Sequence, residues 1–309
     1  MSKSTVLVVH YASPSGQLSE VIRNLTAPLA GDGEVELRNL ILRPRKPYPF
    51  PWPILRFFDT FPETIYLDPP ELESLGLAPG ERFDLVILGY QVWFLSPSGP
   101  TAAFLKSPEA KAVLADTPVV TVIACRDMWL MAQERVKELL AAAGTRLVGN
   151  VVLVDEAGSV GSFLATPVWM MTGKRGPHLG GLIPRAGVKP QQITDSRRFG
   201  ERILQALHQG RPLDAELLRG LGAVKVNTRL IATEKAARRS FLAWGALLRK
   251  LGPRGSWARQ PVVAFYILFL ITLLVVVLPL SALLKTLAAP LLRKRIAAQV
   301  AYFSQPSGQ

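Results

Sequence analysis

The chain has 309 residues, is 49% hydrophobic and carries a formal net charge of +13. That length and apolar content supply a core for one large domain, or a domain with an appendage, and exclude a solvated disordered chain. One cysteine, Cys125, and three dispersed histidines, His10, His178 and His208, exclude a disulfide framework and lack the spacing of a zinc site, so no metal is expected.

In chain order, TVLVVH at 5–10 reads as a buried strand, YASPSGQ at 11–17 as a hydroxyl- and glycine-bearing loop, and LSEVIRNLTAPL at 18–29 as an amphipathic helix. Ser13, Ser15 and Gly16 fall just before the first helical turn, where unpaired backbone N–H groups and the positive end of the helix dipole favour an anion. An ordinary serine helix cap is the alternative. Apolar runs return at 35–40, 84–90, 118–125 and 146–154, separated by helical stretches at 100–115, 129–144 and 196–210. This order predicts an α/β fold, a doubly wound five-stranded parallel sheet of order 2-1-3-4-5. Ligand loops then gather at the carboxyl ends of the strands, which directs attention to 11–17, 91–98 and 125–129.

In the second of these loops, QVWFLSPSGP, Trp93 and Phe94 follow a strand directly. They fit a planar apolar ligand or packing beneath an insert. In the third, CRDMW, Cys125 reads as a small buried residue rather than a nucleophile, since no histidine stands beside it. Arg126 and Tyr90 are candidates to polarise a substrate oxygen, or are structural. Two inserts flank these loops. Residues 43–70 are crowded with proline and aromatics and predict a stiff, non-helical segment, either lining a substrate tunnel or covering the sheet. Residues 156–190, with Trp169, Met170 and Met171 beside glycines, suit an adaptable apolar contact surface or a lid.

Together the three loops resemble a flavodoxin-type FMN site over roughly residues 4–210. SPSGQL keeps Ser13, Ser15 and Gly16 of the phosphate loop, while Leu18 stands where short-chain flavodoxins place a final hydroxyl. The resemblance implies FMN contacts from Ser13, Ser15, Gly16, Gln17 and Leu18, from Gln91, Val92, Trp93 and Phe94, and from Cys125, Arg126, Asp127 and Trp129. The strings GYQVWFLSPSGPTAAFL, CRDMWLMAQE, LGAVKVN and RSFLAWG are similar to a bacterial subgroup of flavodoxin-like NAD(P)H-dependent oxidoreductases, the dialkylresorcinol-condensing enzymes. That likeness implies a lipophilic carbonyl, quinone or cyclic dione as substrate, NAD(P)H as reductant, a ketosynthase partner and a homodimer. Without a Cys-His-His arrangement, carbon–carbon bond formation is not expected of this chain. A flavodoxin-type electron-transfer module and a flavin-free scaffold are the alternatives.

The charge is uneven: residues 1–196 hold 18 Lys/Arg against 19 Asp/Glu (net −1), and residues 197–309 hold 18 against 4 (net +14). Residues 211–259 read as a basic amphipathic linker, in which Lys225, Arg229, Lys235, Arg238, Arg239, Arg249 and Lys250 alternate with Leu230, Phe241, Trp244 and Leu248. This pattern fits an anionic membrane surface, with an RNA-binding arm as the alternative and no nucleic acid expected. From Gln260 to Leu284 there are 25 residues without a charge, about 37 Å as a helix, which predicts a transmembrane span or a re-entrant hairpin bent near Pro279. Residues 285–309 read as a basic interfacial or solvated tail. The N-terminus lacks the pattern of a secretory signal, so the domain over 1–210 is expected in the cytoplasm, at the inner membrane.

Overall fold

A computed structural model describes residues 3–155, 159–273, 276 and 296–305 of the chain. The elements run β1 (Ser4–Tyr11), α1 (Gln17–Ala30), β2 (Val35–Leu42), α2 (Ile54–Phe58), α3 (Phe61–Ile65), β3 (Leu85–Tyr90), β4 (Val92–Trp93), β5 (Ser96–Pro97), α4 (Gly99–Lys106), α5 (Pro108–Leu114), β6 (Pro118–Cys125), α6 (Leu130–Ala142), β7 (Arg146–Val154), α7 (Ser159–Thr172), α8 (Pro190–Asp195), α9 (Arg197–His208), α10 (Ile231–Lys250) and α11 (Gln260–Thr272).

Side chains alternate across each central strand, so one sheet faces two cores. Leu7, Val9 and Tyr11 of β1 enter one core with Val86, Leu88 and Tyr90 of β3 and with Ile123 of β6. Val6, Val8, Leu85, Ile87, Val120 and Val122 enter the other, under α1 and α9. Burial on both faces explains why these strands read as continuous apolar runs. The five strands are parallel in the order β2-β1-β3-β6-β7. The numbering departs from 2-1-3-4-5 because two short strands, β4 and β5, form a separate antiparallel hairpin between β3 and β6. The order still reverses between β1 and β3, which opens a crevice at their carboxyl ends. Close packing of α9 on α1 needs Gly200, where a Cβ would lie 1.8 Å from the Leu25 carbonyl oxygen.

Several expectations are corrected. The stretch 100–115 is two helices, because Pro108 cannot sit in a helix interior and Ser107 caps a new start, accepting from the Ala110 amide at 3.1 Å. The insert 43–70 is not free of helix: α2 and α3 each begin beside a proline, Pro53 and Pro62, at positions where a missing N–H costs nothing. Within 156–190, α7 accommodates Pro167. The segment after α9 stays on the domain, with the Val152 amide donating to the Ala223 carbonyl at 2.8 Å and Leu217 and Leu218 buried. Nor does α10 lie as a whole on a surface, since Ile231, Glu234, Gly245 and Leu248 are buried against the domain. Helical residues 296–304 return to α6: Phe303 is buried there, and Tyr302 donates to Glu134 and accepts from Lys137.

The span expected over 260–284 lies partly outside the described residues. α11 has 13 residues, about 20 Å of helix against a hydrocarbon core of about 30 Å. Among the described residues no helix is long and apolar enough to cross a membrane. The rest of the apolar run, Val276 excepted, and the bend expected near Pro279 lie outside the described residues.

What fixes α11 to the domain is a buried charge cluster. The Arg259 side chain is fully buried. Its Nη1 donates to Glu63 Oε1 at 2.7 Å and its Nη2 to the Asp59 carbonyl at 2.9 Å. Its Nε faces Asp59 Oδ1 at 2.9 Å as a charge contact, and Asp59 Oδ2 accepts from the Gly255 amide at 2.6 Å. Removing one partner leaves the others charged and dry. Arg259→Met should therefore lower the free energy of urea unfolding by about 3–5 kcal/mol, whereas loss of the exposed Arg197–Glu201 pair in Arg197→Ala should cost less than about 1 kcal/mol.

Candidate functional site

At the carboxyl end of β1 the chain turns through 12–16 into α1. Gly16 takes φ +72°, a left-handed conformation that favours glycine, and open space surrounds the position a Cβ would occupy. The 14-residue helix α1 has no side-chain cap at its N-terminus. Beside it the Ser13 and Ser15 hydroxyl oxygens lie 2.8 Å apart, both half-buried, and Gly16 is exposed. The second insert adds a cation. Arg175 Nη2 donates to the Ser15 carbonyl at 3.1 Å, its Nη1 lies 3.8 Å from Glu20, and its guanidinium stacks over Trp169 at 4.9 Å. Hydroxyls, first-turn helix amides and a guanidinium thus gather around one exposed loop, the donor types that suit a phosphate.

Gln17 and Leu18 do not join it. Gln17 is buried and its Oε1 accepts from the Val188 amide at 2.9 Å, and Leu18 is buried in the core beneath α1. On the same wall, the Gly187 amide donates to Asp155 at 2.9 Å.

After β3, the β4–β5 hairpin turns through Phe94 and Leu95, with φ +49° and +60°. This is the double left-handed turn that usually takes Asn-Gly, held here because Leu95 is buried and Phe94 packs among other rings. The turn sends neighbouring aromatics apart. Phe94 goes to Phe57, Phe61 and Phe241. Trp93 is half-buried and meets Tyr48 at 5.0 Å, Trp52 at 5.9 Å and Tyr11 at 6.2 Å, all within a few degrees of edge-on. Val92 is half-buried on the hairpin. Gln91 ties the loops together, donating to the Tyr11 carbonyl at 2.9 Å and accepting from Ser98.

The third loop is mostly scaffold. Cys125 is buried, and burial together with Asp127 pushes its thiol well above the usual range, so it stays protonated. Asp127 accepts from the Met128 amide and from Asn227. Trp129 is buried at the start of α6. Arg126 is half-buried, and its desolvation lowers the guanidinium pKa. Tyr90 is turned away from any substrate: it is fully buried and donates to Gln133 at 2.6 Å, at one end of a network that runs through Thr121 to Asn150.

The structure therefore brings Ser13, Ser15, Gly16 and Trp93 to one rim and adds Tyr11, Tyr48, Trp52 and Arg175. Tyr11 could have been found from its place at the end of β1. The others lie on inserts, whose docking no local pattern encodes. The two inserts also meet each other, since the Trp52 amide donates to the Met170 carbonyl at 2.8 Å and Gly173 lies against Pro51. Arg254 sits 5.4 Å over the Tyr48 ring, whose hydroxyl pKa is raised by burial.

No family model and no curated protein matches the sequence. Solved structures with some likeness include a flavoprotein in complex with FMN from Lactobacillus acidophilus (TM-score 0.38, 16% identity, covering 49% of this chain and 93% of that one). Others are a flavone reductase (0.35, 11%, 69% and 67%) and the Trp repressor binding protein from Bacillus subtilis (0.28, 12%, 55% and 99%). All three superpose loosely, and the fold is read from the strand order rather than from them.

Beneath the first loop, His10 Nε2 lies 3.1 Å from Ser19 Oγ while Nδ1 has no partner, and burial lowers its pKa to about 4. Between the ordinary 6.5 and about 4 the unfolded chain binds a proton that the native state refuses, so stability falls as pH falls through that window, by on the order of 3 kcal/mol in all. Glu234, buried on α10 with its pKa raised to about 8 by desolvation, acts in the opposite direction: stability falls as pH rises from 4.5 towards 8. Urea midpoints measured across pH should lose the acid limb in His10→Gln and the alkaline limb in Glu234→Gln. Variants that track the parent chain at every pH would refute both assignments.

Proposed function

We propose that this chain is a flavodoxin-like, FMN-dependent oxidoreductase acting on a lipophilic carbonyl, quinone or cyclic dione at the cytoplasmic face of the inner membrane. One observation carries the reading: at the crevice where the strand order reverses, an uncapped 14-residue helix, two paired hydroxyls and Arg175 face one open place. Ser13 and Ser15 would donate to the phosphate, the first-turn amides of α1 would complete its shell, and Arg175 would balance its charge. FMN, when bound, supplies hydride transfer.

The ring end fits less simply. Tyr48 and Trp52 stand against Trp93, where an isoalloxazine would lie, so residues 43–53 must swing aside to admit it. Each edge-on pair is worth about 0.5–1.5 kcal/mol beyond its buried area, a barrier that cofactor binding can offset. Trp93 and Tyr11 would then wall the ring and exclude water. We further propose NAD(P)H as reductant and a place in dialkylresorcinol or related aryl-lipid assembly beside a ketosynthase, on the resemblance of the loop strings.

A flavin-free scaffold is the second reading, favoured by the same Tyr48 and Trp52 contacts. Titration with FMN and with riboflavin, which lacks the phosphate, separates the two. Ser13→Asp with Ser15→Asp places carboxylates against the phosphate at about 4 kcal/mol per unit charge near 4 Å, so FMN affinity should fall more than about 100-fold while riboflavin binding is unchanged. Tyr48→Ala should strengthen uptake of both. A chain that stays colourless with FMN, with or without Tyr48→Ala, is a scaffold.

A further inference from the structure

α11 is apolar on every side. Val263 and Tyr266 are buried against the domain, while Phe265, Leu268 and Ile271, at successive three-residue steps, remain 59, 60 and 52% exposed. Trp257, on the turn before the helix, is 87% exposed. A helix bathed in water does not sustain such a stripe. The chain leading to it is strongly basic, with seven Lys/Arg and no Asp/Glu from Lys235 to Arg259. Arg249 is paired with Asp68, and Arg259 with Asp59 and Glu63, whereas exposed Lys250 and Arg254 precede Trp257 by seven and three residues. A band of cations beside an apolar stripe and a surface tryptophan is complementary to anionic headgroups over acyl chains.

The described chain before and after the apolar run is held on one body. Arg259 is locked to Asp59 and Glu63 before it, and Phe303 and Tyr302 are packed on α6 after it.

We propose that Trp257, Phe265, Leu268 and Ile271, with Lys250 and Arg254, form a docking surface for one leaflet of an anionic bilayer. The membrane-facing reading above supplies the occupant; the surface is new. Docking also reaches the site. The same turn holds the first insert, through Arg254 over Tyr48 and the Gly255 amide on Asp59, so the leaflet-facing turn and the ring that covers Trp93 are mechanically joined.

Two readouts on the full chain test this. In phosphatidylcholine vesicles containing phosphatidylglycerol, lipids brominated on the acyl chain should quench Trp257 emission, a component missing from Trp257→Phe. Vesicles of phosphatidylcholine alone should bind about tenfold less protein or weaker. In sealed inside-out membrane vesicles from expressing cells, Lys250→Cys and Ser304→Cys should both react with an impermeant maleimide. Cys125 is buried, so the parent chain is the blank. Labelling of the two cysteines from opposite sides, or membrane binding without quenching of Trp257, overturns the docking surface and leaves the membrane location standing. Absence of all membrane binding removes both. A concentration-dependent dimer that shields Trp257 from a soluble quencher assigns the face to a second copy and also overturns the proposal.

Discussion

A guanidinium taken wholly out of water must keep its counter-charges beside it, and at Arg259 that requirement organises the far half of the chain. Its partners are Asp59, Glu63 and the Asp59 carbonyl, all on the first insert, and Gly252 on the turn that carries Arg259 itself. Neither the insert nor the apolar helix can shift without exposing or orphaning a charge. A buried ion pair of this kind adds little net stability over an apolar equivalent, yet breaking it is costly. Its effect is to specify one arrangement, in which two segments about 200 residues apart in sequence move as a unit.

That arrangement has consequences at the crevice. The phosphate end, built on Ser13, Ser15 and Gly16, belongs to the sheet and is open. The ring end belongs to the insert: Tyr48 and Trp52 lean edge-on against Trp93, and beyond them Phe57, Phe94, Phe61 and Tyr266 continue ring to ring at centroid spacings of 4.5 to 5.7 Å to the buried face of α11. Aromatic contacts of this sort are individually weak and geometrically tolerant. A segment held that way at one end and by a buried guanidinium at the other is suited to pivot over the site rather than to leave it.

The second insert sets the other wall. Gln17, Asp155 and the amides of Gly187 and Val188 stitch 186–188 to the base of α1, and Arg175 then falls beside the first loop. Residues named from the strand-end loops thus divide by the direction in which packing turned them. Ser13, Ser15, Gly16 and Trp93 face the crevice. Gln17, Leu18, Gln91, Phe94, Cys125, Asp127 and Trp129 support it from behind, because their polar atoms found backbone partners or their rings found a core.

The amino-acid order alone determined the sheet, the two-sided burial and the place of the first loop, since short continuous apolar runs, a turn rich in small hydroxyls and an amphipathic helix are local properties that neighbouring residues impose on one another. It also carried the uneven charge and the long uncharged run. Tertiary structure decided what those features meet. Whether Trp93 lies open or under Tyr48, whether Arg175 reaches Ser15, and whether α11 is fixed to the first insert all depend on contacts between residues far apart in the chain. Those contacts are settled by shape and desolvation once the core has formed, and no short window of sequence contains them.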